Sequence, residues 1–217
     1  MKTLQDTLKK GASELEIELS AMQLESFTLY AKELCKWNGK INLTSIIQPE
    51  EIAIKHFLDS LTLAKYTSVA GKLLDIGSGG GFPGIPLKII APETFIVSVD
   101  AVAKKINFQR HIIRALGLTG FTALHCRAEN LVPEYKGNFN LVVSRAFADI
   151  AVFVKHALPL LANEGVIIAM KGKGGRVEAG TATAELKMMG AAVTAVHEFE
   201  LPILKDLRAL VIIRRMQ

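Results

Sequence analysis

Leu73-Leu-Asp-Ile-Gly-Ser-Gly-Gly-Gly-Phe-Pro-Gly-Ile-Pro86 opens as an apolar run, passes one aspartate, and enters a glycine cluster that gives way to a second apolar run. The first residues read as a buried strand and the cluster as a turn whose backbone can take positive φ and lie close to a ligand. A helix over 84–90 follows. In an open α/β sheet a turn of this kind lies beyond the carboxyl ends of the strands, where ligands bind.

Outward from this segment, short β-rich runs alternate with helical ones. The periodicity predicts strands at 72–76, 94–99, 121–126, 140–144 and 166–171, with helices over 84–90, 104–116 and 149–161 between them. Such alternation means a parallel sheet with right-handed crossovers. After a helix over 177–189, closed by Gly190, the runs 192–201 and 208–215 have no helix between them and read as a terminal hairpin. Five parallel strands closed by a hairpin give seven strands in all. The first seventy residues read as helices instead: Thr3 to Lys10 stopping at Gly11, and a capping box at Ser20-Ala-Met-Gln23 opening a stripe of Leu24, Phe27, Ala31 and Leu34 that Gly39 ends. Pro49-Glu50-Glu51 looks like the first turn of another. We expect residues 1–70 to form a helical extension packed on a domain over 71–217.

Composition fits this plan. The 217 residues are 50% hydrophobic and 22% charged, which excludes disorder and low-complexity structure. No uncharged stretch exceeds about a dozen residues, short of a membrane span. Charged residues from Lys2 to Lys10, without a following apolar core, exclude a secretory signal. Cys35 and Cys126 stand too far apart for a disulfide framework or a metal-ligand spacing, so we expect a cytoplasmic protein without metal. Residues 1–70 hold 8 basic and 9 acidic side chains, and residues 71–217 hold 18 and 12. A net charge of +6 on the second part suits a polyanionic partner.

Two ligand classes compete for the glycine turn. Gly79-Gly-Gly81-Phe-Pro-Gly84 matches the G-x-G-x-x-G of dinucleotide enzymes, with Asp100 about 20 residues beyond. A pyrophosphate, however, wants free N–H groups, which Pro83 and Pro86 lack, and Asp75 would repel it. S-adenosylmethionine reverses both preferences: it has no phosphate and carries a cationic amino group and a sulfonium. Asp100 can accept both ribose hydroxyls, or it caps the following helix. Backbone groups of Ala128 and Glu129 can read an adenine edge. An NAD(P)-binding oxidoreductase and a non-catalytic nucleotide-sensing protein of the same fold stay open as rivals.

The acceptor is narrowed by what is missing. Neither cysteine lies on the loop after the fourth strand, where methylation of a pyrimidine carbon needs a nucleophile, and that loop reads Ser144-Arg-Ala-Phe147, not Asn/Asp-Pro-Pro-aromatic. Guanine N7 needs only to be positioned, because its lone pair is nucleophilic and carries no proton. Arg145 can contact ligand or base there, and Phe147 either stacks on a base or packs in the core.

Trp37-Asn-Gly-Lys-Ile-Asn-Leu-Thr44, His56-Phe-Leu-Asp-Ser-Leu61, Asp75 to Leu87, Ser144-Arg-Ala-Phe147 and Met170-Lys-Gly172, in this order, resemble the bacterial small-subunit ribosomal RNA (guanine-N7) methyltransferase family, also called glucose-inhibited division protein B. The resemblance runs from about residue 20 to the end. It implies a class I, Rossmann-like, seven-stranded methyltransferase fold using S-adenosylmethionine and acting on 16S rRNA within the small ribosomal subunit or its precursor; we expect a monomer. It implies cofactor contacts at Gly77, Phe82, Ala128, Glu129 and Arg145, beside the Asp75, Gly79 and Asp100 already singled out. Gly80 stands where some members have proline. Taken alone, Asn38 and Asn42 are capping residues and His56 with Asp59 a surface pair; the resemblance places them over the cleft, His56 and Asp59 positioning with Arg145, Asn38 and Asn42 near the RNA with Phe147. No general base is required. For phosphate contact we expect Lys171, Lys173 and Arg176, with Lys104, Lys105, Arg110 and Arg114 as a second set.

Overall fold

The computed structural model describes residues 2–145, 147 and 149–216; Met1, Ala146, Ala148 and Gln217 lie outside the described residues, Ala146 being part of the motif quoted above. The chain begins with α1 (Lys2–Glu14) and α2 (Ala21–Ile41). Next come α3 (Pro49–Ile52), a π-helical turn (Ala53–Leu58) and α4 (Asp59–Tyr66), which run on from one another. The remainder alternates: β1 (Lys72–Ile76), α5 (Gly84–Ile90), β2 (Phe95–Asp100), α6 (Ala103–Ala115), β3 (Phe121–His125), the short α7 (Val132–Tyr135), β4 (Phe139–Ser144), α8 (Ile150–Ala157), β5 (Leu161–Lys171), α9 (Gly175–Met188), β6 (Ala191–Glu200) and β7 (Leu207–Arg215).

The seven strands line up in the order β3-β2-β1-β4-β5-β7-β6, parallel except for β7, which runs against both neighbours. The chain leaves β1 in one direction through β2 and β3 and returns to its other side at β4, so β1 and β4 flank the switch point at which such sheets open a crevice. One face of the sheet is covered by α1, α2, the π turn, α5 and α6, whose Leu8, Phe27, Phe57 and Phe108 join Leu73 and Leu141 in one apolar cluster. The other face is covered by α8 and α9, through Phe153, Val154 and Leu186. The fold is the doubly covered seven-stranded sheet expected from the alternation.

The capping box forms as read, with Ser20 Oγ accepting from Gln23 N–H and Gln23 Oε1 accepting from Ser20 N–H. Two glycines do not stop their helices. α1 continues through Gly11 to Glu14, and α2 through Gly39 to Ile41, where Asn42 at φ 49° makes the left-handed exit. At Gly11 the reason is packing: a Cβ there would stand 2.1 Å from Leu58 Cδ1 on the π turn, so the glycine lets α1 lie against that turn. Gly39 has nothing within 4 Å of its would-be Cβ. The helix expected to reach 161 ends at Ala157, and β5 starts at Leu161 because Phe139 on β4 already pairs with it.

The contrast between these glycines is testable. In an exposed helix alanine is favoured over glycine by about 1 kcal/mol, so Gly39→Ala is expected to raise the denaturant midpoint. Gly11→Ala has the same propensity gain but an overpacking cost of about 1–3 kcal/mol and is expected to lower it. Equal shifts in the two variants would contradict the packing account of Gly11.

Candidate functional site

At the carboxyl end of the sheet the chain turns out of β1 at Gly77, whose φ is 70°. The N–H groups of Gly77 and Ser78 both donate to Val99 O on β2, at 2.9 and 3.1 Å. Gly79 N–H donates to Asp100 Oδ2 at 2.9 Å. Two further elements hold the same loop. Gln109 of α6, fully buried, donates from Nε2 to Ser78 Oγ and Gly79 O, and its Oε1 accepts from Ser98 Oγ. Tyr30 of α2 donates its hydroxyl to Gly80 O at 2.6 Å. The loop is thus held by side chains whose polar atoms all have partners.

Helix α5 follows without offering a phosphate seat. Gly84 N–H is taken by Asp75 Oδ2 at 2.9 Å, Ile85 N–H by Gly81 O at 2.8 Å, and Pro86 has no N–H to give. Asp75 is fully buried, and its Oδ1 has no partner among the described residues. Burial pushes its carboxyl up to about 7, against the opposing pull of the Gly84 N–H and the Arg145 charge.

Beyond the loop lies a cleft of about 330 Å³. Gly77, Asp100, Ala128, Glu129 and Phe147 all line it, so five of the expected residues meet in one space. Asp100 accepts from Val102 N–H through Oδ1 as well as from Gly79; Val102, not Asp100, is the N-cap of α6, so the aspartate closes the turn before that helix and does not cap it, while it also faces the cleft. Each oxygen retains a lone pair for a further donor. His156 of α8, absent from the sequence reading, lines the cleft too, its Nδ1 3.8 Å from Glu129 Oε1. Phe147 is half-buried, with its ring centroid 5.4 Å from that of Phe153.

His56 and Asp59 are not a surface pair: they are only 7% and 6% exposed, because the π turn and α4 rotate them inward. The His56 ring stacks on Phe82, centroids 4.4 Å apart, and the Arg145 guanidinium stands 5.0 Å from the same Phe82 centroid. Arg145 donates to Lys55 O at 3.1 Å, to Asp59 Oδ2 at 3.3 Å and to His56 Nδ1 at 3.2 Å. A guanidinium only donates, so His56 Nδ1 must accept and the ring is the neutral Nε2–H tautomer, donating to Thr44 Oγ1 at 2.9 Å. Burial, assisted by the Arg145 charge, pushes this imidazole down to about 3. Asp59 Oδ1 accepts from Arg208 Nε at 2.9 Å, a second contact that sequence reading missed. Asn38 acts as a cap, its Oδ1 accepting from Leu43 and Thr44 N–H.

The expected phosphate set is uneven. Lys171 is turned inward, 9% exposed at its side chain, and donates to Phe147 O and Glu178 Oε1. Arg176 is exposed but paired with Glu198. Lys173 is exposed, with no ion pair among the described residues. In the second set Lys105 stands 3.7 Å from Asp100 Oδ2, and Arg110 Nε donates to Ala123 O.

The two shifted groups oppose each other in their effect on stability. His56 drops from 6.5 to about 3, so on acidification through that window the unfolded chain takes up a proton that the folded chain refuses, and stability falls. Asp75 rises from 3.8 to about 7, so in its window the folded chain holds the extra proton and acidification adds stability. Between pH 6.5 and 4 the effects offset at up to about 1.4 kcal/mol per pH unit each. Asp75→Asn is therefore expected to lose stability on acidification more steeply than the parent, and His56→Gln less steeply. Denaturant titrations at several pH values give the three slopes, and identical slopes would contradict the assignment.

Comparison with known proteins bears on the same residues. A family model described as rRNA small subunit methyltransferase G matches residues 23–207. A protein of Geobacter sp. (strain M21) named ribosomal RNA small subunit methyltransferase G is 55% identical over 215 residues, covering 99% of each chain. One of the same name from Desulforamulus reducens is 38% identical over 221 residues, covering 100% of this chain and 92% of its own. Among solved structures, a SAM dependent methyltransferase from Aquifex aeolicus superposes with a TM-score of 0.61 over 79% of this chain and 96% of its own at 15% identity, a likeness of fold.

Proposed function

The chain belongs to the rRNA small subunit methyltransferase G family, and from that premise we propose how its residues divide the transfer of a methyl group from S-adenosylmethionine to N7 of a guanine in 16S rRNA. When bound, S-adenosylmethionine supplies the methyl group as a sulfonium: the N7 lone pair forms the N–C bond as the C–S bond breaks, leaving a thioether and a cationic purine. No proton is moved. His56 fits that chemistry, since its one lone-pair nitrogen already accepts from Arg145 and it cannot serve as a base.

The observation that carries the reading is the glycine loop itself, which opens on a cleft but keeps no helix N–H free for a phosphate. The residues fit the donor. Asp75 has a buried oxygen in want of a partner, which a cationic amino group satisfies, and the positive φ of Gly77 and Gly79 keeps side chains out of the approach. Asp100 takes the ribose hydroxyls with its remaining lone pairs; Ala128 and Glu129 take the adenine edge. Phe82 forms the floor on which His56 and Arg145 rest, and Arg145, held by Asp59, positions the acceptor at the methyl group. Asn38 and Asn42 set the loop that covers the site, and Phe147 stands between donor and RNA.

Residues 1–70 act as the helical cover of a catalytic domain spanning 71–217. We assign the enzyme to the cytoplasm, as a monomer working on the small ribosomal subunit or its precursor, where the basic excess of residues 71–217 meets the rRNA. No described helix is long and apolar enough to cross a membrane. Of the expected phosphate contacts, Lys173 is the most available; Lys171 and Arg176 reach RNA only by sharing their carboxylate partners.

Labelled methyl transfer from S-adenosylmethionine to small ribosomal subunits from cells lacking this enzyme is expected to yield 7-methylguanosine in 16S rRNA; label in any other nucleoside would contradict the acceptor. Asp100→Ala is expected to weaken S-adenosylhomocysteine binding by about 1–3 kcal/mol, roughly 5- to 150-fold. Unchanged affinity by calorimetry would leave Asp100 only the turn contacts to Gly79 and Val102.

A further inference from the structure

A second cavity, of about 200 Å³, opens on the other side of the β4 end from the donor cleft, and Asp59, Thr62, Arg145, Lys171 and Arg208 line it. Its polar side chains come from four elements. Arg145 leaves β4, Lys171 closes β5, Arg208 opens β7 where its neighbour Ala209 pairs with Lys171, and Asp59 starts α4. Three cations and one carboxylate face the same small space.

The hydrogen-bond ledger of that space is one-sided. Asp59 accepts from Arg145 through Oδ2 and from Arg208 through Oδ1. Thr62 donates its hydroxyl to Asp59 O. Arg208 has five N–H groups, and among the described residues only Nε and one NH1 hydrogen find an acceptor, Asp59 and Leu207 O; Asp206 lies 3.6 Å from NH2, an ion pair beyond hydrogen-bond length. Glu178, outside the lining, steadies Lys171. What the cavity has left over is donors on a planar fork whose Nε is pinned, the arrangement that suits two oxygens of one phosphate. The Watson–Crick edge of guanine would turn its N1–H and N2–H donors on three cations, with Asp59 the one carboxylate of the lining to receive them.

We infer that this cavity seats a phosphate of the RNA chain adjoining the target guanine, with Arg208 as its principal ligand and Arg145 shared between this phosphate and the methyl-transfer site. The inference rests on the RNA methyltransferase reading above and adds to it a binding site and a residue. Phosphate contacts of this kind fix register without reading sequence. Held there, the sugar–phosphate link would limit how far the base can swing and so orient N7 toward the neighbouring cleft.

The test uses the full chain saturated with S-adenosylhomocysteine and titrated separately with guanosine 5′-monophosphate and with guanosine. The parent is expected to bind the nucleotide at least tenfold more tightly than the nucleoside. Arg208→Gln is expected to abolish that preference, and Lys187→Gln, the same charge change at a distant exposed position, to leave it intact. Unchanged S-adenosylhomocysteine affinity verifies that the Arg208→Gln site is folded; should it be lost, Arg208→Lys, which keeps the charge without the fork, must still reduce the preference. Equal binding of nucleotide and nucleoside, no saturable binding of the nucleotide, or a preference that survives both Arg208 substitutions would overturn the assignment. A protein that methylates 16S rRNA but fails this comparison loses the cavity alone, whereas failure to methylate removes the reading beneath it.

Discussion

The backbone of the Gly77–Gly81 loop is held from three directions, and the site is built on that restraint. β2 takes its N–H groups, Gln109 on α6 spans Ser78 and Gly79, and Tyr30 on α2 reaches Gly80. Ser78, Gly80, Tyr30 and Gln109 are buried, so their polar groups would be costly to leave unpaired, and the loop has little freedom to relax. Glycine leaves room for a ligand against the backbone, and the buried network keeps that room from collapsing. Because Tyr30 comes from α2, Gln109 from α6, and Val99 and Asp100 from β2, the covering helices and the sheet are joined at the loop itself.

Electrostatics are arranged around a single cation. Arg145 is too enclosed to be left to solvent, and its partners are of mixed kinds: a carbonyl, a carboxylate, a neutral imidazole and an aromatic face. Only Asp59 among them is charged, and it is shared with Arg208. The guanidinium is therefore oriented more than it is neutralised, and it can still meet an electron-rich acceptor edge. His56 contributes by staying uncharged; an imidazolium there would repel Arg145 and would have no lone pair for it. A reaction that transfers a methyl group to a bare lone pair asks for this kind of site, one that aligns and shields without exchanging protons.

Much of this was legible in the sequence because it is local. β1 and α5 have the bounds read from the apolar runs around the glycine cluster; Asp100, Ala128, Glu129 and Phe147 follow from the rule that ligands sit at strand ends, and Gly77 from the family resemblance. The remainder depends on long-range partners. Gly11 and Gly39 look alike as helix stops, and only the position of Leu58 distinguishes them. Lys171 and Arg176 read as free cations until Glu178 and Glu198 are brought beside them. Gln109 gave a signal that went unused: a polar residue at helical spacing between the buried Ile106 and Ile112 needs partners, and those partners are the glycine loop. Arg208 lies 149 positions from Asp59, and no spacing rule connects them.

The central claim is that a glycine loop without free helix N–H groups, backed by a buried aspartate, selects a phosphate-free cationic donor over a dinucleotide. Calorimetric titration of the purified protein with S-adenosylmethionine and, in parallel, with NADH tests it most directly. The account predicts saturable one-site binding of S-adenosylmethionine, weakened by Asp75→Asn, and no measurable binding of NADH. Tighter binding of NADH, or S-adenosylmethionine affinity indifferent to Asp75→Asn, would contradict it.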